Sequence, residues 1–259
     1  MMTSTRMGSM HWTLRRKGRM TFKDQITYVR SSALVQLKAR LPHLPFLTEG
    51  PSTKHSAELL EQVKIPSSPL IQEAQAYVRD LATDTIFYHS IRAYFWGSLL
   101  RLKSHHSMDE ETFYLSCLFH DLGLTSSLHG KLEGAECFTL ESAQAGQQFL
   151  QQHDVAEETQ DTIFGAITLH LNPIVDGKEN GWIAHYLNAG TACDVIGARY
   201  GEIHKSDRQT VLQRYPRGTF KSDLIRIFEQ EAAMRPCSRI ALMNRFGFLK
   251  MIQCAPFSS

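Results

Sequence analysis

From Pro69 almost to the end of the chain, apolar residues recur at helical spacing, and no alternating run of strand length interrupts them. Leu70, Ala74, Tyr77, Val78 and Leu81 form one stripe, and Ser68-Pro69 supplies a helix start. Further helices are predicted over residues 85–102, 111–120, 142–153, 156–169, 183–200, 222–234 and 238–246. Asp109 or Ser107 should cap the helix at 111. Residues 123–136 read as a Gly- and Ser-rich loop. Asp176-Gly177 and Asn180-Gly181 mark a second loop. Upstream, Ile26, Val29, Leu34, Val35 and Leu37 predict an amphipathic helix over 21–41, stopped by Leu41-Pro42-His43-Leu44-Pro45. Residues 48–56 have linker composition, and a short helix is expected at 57–63. The expectation is an all-α helical bundle over 57–259, preceded by an extension and linker over 1–56.

Charge separates the same two parts. Residues 1–48 carry nine Lys or Arg against the single acid Asp24, a balance of +8, while the whole chain stands at only +2. Such an arm reads as a solvated tail, as a surface for an anionic partner, or as an acid-poor mitochondrial presequence. Five cysteines without a Cys-x-x-Cys pair argue against a disulfide framework or a thiolate zinc site. No apolar run reaches the length of a membrane span. A cytoplasmic location is expected, with mitochondrial import as the alternative. No nucleic-acid partner is expected, and the Met- and aromatic-rich termini leave a homodimer open. Phosphate-loop and dinucleotide motifs are absent.

The candidate chemistry lies where polar side chains break the apolar pattern. Phe113–Phe119 runs apolar and ends in His120-Asp121-Leu122-Gly123. His89 is embedded in Tyr88-His89-Ser90-Ile91-Arg92-Ala93-Tyr94, and Asp194 in Cys193-Asp194-Val195-Ile196-Gly197. Any one of these could be a hydrogen-bonded core polar. Four in the order His, His-Asp, Asp, on three separate helices, point to a metal site, because Asp is almost never fully buried unless paired or coordinated. Imidazole and carboxylate donors suit zinc, iron or manganese.

This order resembles the HD-domain superfamily of metal-dependent enzymes. The details are closer to its cyanamide hydratase branch, whose His-Ser-x-Arg-x-Tyr is similar to His89–Tyr94. Further similarity lies in His120–Thr125, in Phe138-Thr139-Leu140-Glu141-Ser142-Ala143, in Ala166–His170, in Asp194–Gly197, and in the stretches Tyr215-Pro216-Arg217 and Ala255-Pro256-Phe257. The match spans roughly residues 65–257. Four positions depart from it: Ser142 replaces a usual Gly, Thr139 a common acid, and Leu124 and Leu171 a frequent Thr.

The resemblance implies a metal-dependent lyase that adds water to cyanamide or a related small nitrile, giving urea or a urea-like product. It implies His89, His120, Asp121 and Asp194 as ligands, with zinc the expected ion. Asp121 is also the expected proton acceptor, and His170, a lone imidazole at a helix end, the expected second acid/base. Thr125 and Glu141 are expected to orient the small-molecule substrate. Arg92, three residues after His89, would be a structural ion-pair partner in a hydratase and a phosphate clamp in an HD phosphohydrolase, the competing reading. A hydratase pocket should be small, closed and apolar, whereas a phosphohydrolase pocket should be wide and lined with Lys or Arg.

Overall fold

The computed structural model describes residues 6–40 and 59–257, and every described residue in regular structure is helical. Helices α1 (Met10–Arg16) and α2 (Phe22–Arg40) precede a body built from α3 (Pro69–Leu81), α4 (Asp84–Ser104), α5 (Glu110–Phe119), α6 (Phe138–Gln152), α7 (Glu157–Leu169), α8 (Gly177–Asn180) and α9 (Trp182–Ile196). It closes with α10 (Lys205–Arg214), α11 (Phe220–Met234), α12 (Arg239–Arg245) and α13 (Phe248–Gln253). The all-α expectation holds. The expected linker at 48–56 and the proline-rich stop at 41–45 lie outside the described residues. Of the short helix expected at 57–63, the described part is a single 3₁₀ turn, Leu60–Gln62.

Local signals set most boundaries. The Ser68 and Asp109 side chains accept from the backbone N–H of Ile71 and Thr112, capping α3 and α5. Helix α6 starts four residues earlier than its sequence predicts. The reason is remote in sequence: the buried Glu231 carboxylate accepts from the Phe138 N–H at 3.1 Å, satisfying the helix start in place of a local cap. Helices α1, α10 and α13 are not predicted by the pattern, nor is the one-turn α8 within the expected loop at 176–181. Helix α10 is polar along most of its length and is tied down partly by Asp207, whose carboxylate accepts from the Leu59 N–H.

The centre of the body is the pairing of α4 with α9, and two glycines make it close. A Cβ on Gly97 would lie 2.7 Å from the Tyr186 carbonyl, and one on Gly190 would run into the carbonyl of Ala93. With hydrogens there instead, the two backbones approach until Arg92 and Trp96 of α4 reach Asp194 of α9. One apolar core joins α3 to α7 and α9. A second, around Phe220, Leu224 and Ile240, joins α11 to α12 and α13.

The basic N-terminal segment is not a free tail over its described part. Trp12, Met20 and Tyr28 are buried. The backbone pairs Met20 N–H with Cys237 O and Glu136 N–H with Lys17 O, and Tyr28 donates its hydroxyl to Leu171 O at 2.7 Å. No helix among the described residues is long and apolar enough to cross a membrane.

Candidate metal centre

Two of the histidines sit at the same place in the helical architecture. His120 ends α5 and His170 ends α7, both in helical backbone conformation. At a helix end the last carbonyls have no intrahelical partner. Each imidazole uses one of them: His120 Nδ1 donates to Cys117 O at 2.7 Å, and His170 Nδ1 to Ile167 O at 2.6 Å. That fixes the tautomer and leaves Nε2 with its lone pair aimed away from the helix. His89 lies inside α4, where neighbouring carbonyls are spent on the helix. Its Nδ1 donates instead to Asp194 Oδ2 at 2.8 Å.

The three Nε2 atoms face one carboxylate. Asp121 Oδ2 lies 3.2 Å from His120 Nε2 and 3.5 Å from His89 Nε2, and Asp121 Oδ1 lies 3.8 Å from His170 Nε2. The Nε2 atoms of His89 and His120 are 3.2 Å apart. Ligand atoms of His89, His120 and Asp121 all lie within 4.8 Å of one another, and all three residues are buried. This donor set fits a divalent cation. Each imidazole has its other nitrogen engaged, the free lone pairs converge, and two helix C-termini add partial negative charge. Burial, reinforced by the nearby His120, pushes His170 down to about 3, so it is a neutral donor. Burial also lowers His89, against the pull of Asp194. For His120 burial acts downward too, but the adjacent Asp121 overcomes it and raises the group. Asp121 resists the upward push of burial and lies below the usual carboxylate range, held there first by His120.

Asp194, expected as the fourth ligand, is not in this group. Oδ1 accepts from Arg92 Nε, Trp96 Nε1 and Arg217 Nη1, each at 2.9 Å. Oδ2 accepts from Arg92 Nη2 at 2.9 Å and from His89 Nδ1. Both oxygens are spent on donors, and the carboxylate lies behind the imidazole rather than before it. Burial opposes its ionisation, but Arg92, the His89 hydrogen bond and Arg217 hold it well below the usual range. Arg92 completes its bonding on the Tyr215 and Pro216 carbonyls, so it is an ion-pair partner and presents no free fork to a phosphate. The guanidinium of Arg217 packs on Phe220 and Phe257, and Phe220 stacks on the His89 ring. The Tyr215–Arg217 and Ala255–Phe257 stretches thus meet behind the site.

Thr125 and Glu141, expected to orient substrate, are engaged elsewhere. Thr125 donates its hydroxyl to Leu122 O at 2.8 Å. Glu141 is ion-paired at 2.7 Å with the buried Arg235, which also bridges to Glu231, itself bonded to His129. Neither lines the cavity in front of the histidines. Among the four departures from the hydratase pattern, only Leu171 lines it. Ser142 accepts from the Gly123 N–H, Thr139 accepts from Arg239, and Leu124 lies in the second core.

That cavity has a volume of about 520 Å³, with His89, His120, Asp121 and His170 on its wall. Most of the remaining wall is apolar. Among the described residues the charged ones lining it are Asp121 and Arg199, and Arg199 is closed in a two-point bond on Glu202 at 2.9 and 3.0 Å. Its chemistry is that expected of a hydratase pocket, but its size is not. It is neither small nor closed: residues of α2 and Phe248 and Met251 of α13 line its sides without filling the space.

Fold and site together define an all-α helical protein with a buried His-His-Asp group able to hold a metal ion, set in the wall of an apolar cavity. No family model matches the chain, and no curated protein matches it.

Proposed function

We propose that the protein is a metal-dependent hydratase of the cyanamide hydratase type, adding water to a nitrile carbon. The observation that carries this reading is the convergence of three imidazole Nε2 atoms on Asp121 beside a wall that, among the described residues, has no available cation. His89, His120, Asp121 and His170 would hold the ion, and the three-nitrogen, one-oxygen set favours zinc, with iron or manganese as alternatives. This replaces Asp194 by His170 as the fourth ligand and gives Asp194 the task of orienting His89.

A divalent cation held by His89, His120, Asp121 and His170 would supply Lewis acidity and would make water a much stronger acid, with a pKa near 7 for zinc. Asp121 takes the proton that water gives up as the water oxygen bonds to the nitrile carbon. The proton then passes to the nitrogen, whose π bond to carbon has opened, and tautomerisation gives the amide; from cyanamide the product is urea.

The phosphohydrolase alternative needs free cationic groups to take up phosphate charge. Arg92 is spent on Asp194 and two carbonyls, Arg217 is bonded to Asp194 through Nη1, neither lines the cavity, and Arg199 is paired with Glu202, which weighs against it. The test is metal analysis of the purified protein with parallel assays of urea release from cyanamide and phosphate release from a nucleotide panel. The expected result is close to one divalent ion per chain, and urea release that His120→Ala abolishes while the helical content stays. Phosphate release without urea release would transfer the assignment to the alternative.

A further inference from the structure

Cyanamide has three heavy atoms. At roughly 30 Å³ for each water-sized group, it would fill only a small part of a 520 Å³ cavity, which falls within the ~300–1,000 Å³ range of pockets that hold drug-sized ligands. The wall beyond the histidines is built for something apolar. Ala192 and Val195 of α9, Phe228 of α11 and Met243 of α12 line it, and the two-sided Tyr28 of α2 closes one edge while its hydroxyl is spent on Leu171 O. At the mouth, Phe246 is 62% exposed and Ile174 is 51% exposed, although both face the cavity. The polar lining groups are largely occupied: Asn188 bonds to the carbonyls of His170 and Asn172, Thr191 to Asn188 O, and His185 to Val175 O.

We propose that the substrate of this centre carries an uncharged apolar body of drug-like size, its reactive group meeting the histidines and its body lying against α9, α11, α12 and the α2 wall. The proposal rests on the metal reading above and adds the substrate class to it. A charged body is disfavoured because the described wall residues offer no free counter-charge: Asp121 belongs to the histidine group and Arg199 is neutralised by Glu202. The N-terminal helix then has a part in specificity, since α2 supplies one side of the space in which the body lies.

The test uses metal-loaded full-length protein and two probes with the same metal-seeking head, acetohydroxamate and octanohydroxamate, measured by calorimetry. The longer probe should bind at least 100-fold more tightly, because its added methylenes enter the apolar space. Ala192→Phe should remove most of that gain while leaving metal content and helical circular dichroism unchanged. Phe246→Asp, at an exposed position where folding is not at risk, should weaken octanohydroxamate at least fivefold. A protein that takes up metal and binds acetohydroxamate, yet gains less than threefold from the chain, would overturn the apolar-body proposal alone. A protein that takes up no metal and binds neither probe removes the metal reading and this proposal with it.

Discussion

At one edge of the His89 ring, Asp194 receives Arg92, Arg217, Trp96 and His89 Nδ1 on its two oxygens. At the other edge, Asp121 faces three Nε2 atoms and has no arginine within bonding distance among the described residues. Both carboxylates are buried and both are held ionised, Asp194 first by Arg92 and Asp121 first by His120, with His89 contributing to each. Arginine cannot give up its protons, so Asp194 has a permanent partner and no lone pair to spare. Imidazole can present a bare nitrogen, so the charge on Asp121 is available to a cation. Asp194 is therefore saturated within the frame that holds the His89 ring, whereas Asp121 is the carboxylate left facing the three Nε2 atoms.

Substitutions should separate the two. The largest effect is expected from Asp121→Asn, which should bring metal content to background and end turnover. Melting of its metal-free form should stay within about 4 °C of the metal-free parent, since no buried arginine is stranded. Asp194→Asn should act in the opposite sense. It strands two buried guanidinium groups, at a cost of about 3–5 kcal/mol, or roughly 6–20 °C in Tm, read by thermal unfolding. Because its folded pKa lies below 3.8, Asp194 contributes stability above about pH 4 that is lost as pH falls; the Asn variant should show a shallower acid limb in a stability-pH series. His170→Gln should weaken metal binding by about 100-fold in a competition titration, against about 10–100-fold for loss of an orienting group such as Asp194. Glu141→Gln is the smallest: about 1–3 kcal/mol of stability from the Arg235 network, with metal content unchanged. A loss of metal in that variant, or an intact metal site in Asp121→Asn, would break the comparison.

The helical pattern carried most of the fold. The 3.6 period placed α3, α4, α5, α7 and α11 within a few residues of where they lie, because the apolar positions of each are buried, in the first core for α3, α4, α5 and α7 and in the second for α11, and because Ser68 and Asp109 cap α3 and α5. It missed the early start of α6, where the cap is Glu231, 93 residues away. It also missed α10, whose order comes from contacts and not from an apolar stripe. At the site, His89, His120 and Asp121 were legible as polar breaks in apolar helices, and their meeting is what the structure adds. Asp194 was legible as buried but not as saturated, because Trp96 and Arg217 reach it from other elements. His170 carried a usable signal: like His120, it closes an apolar helix, and the freed carbonyl there orients both rings alike. Thr125 and Glu141 follow motif position, which says nothing about the direction their side chains take.

The most direct test of the central claim is anomalous diffraction at the zinc edge from crystals of the zinc-loaded protein. The account predicts one peak at ~2.0–2.2 Å from Nε2 of His89, His120 and His170 and from a carboxylate oxygen of Asp121, with Asp194 still bonded to Arg92 and Arg217 behind the ring. A peak ligated by Asp194, or no peak between these histidines, would contradict it.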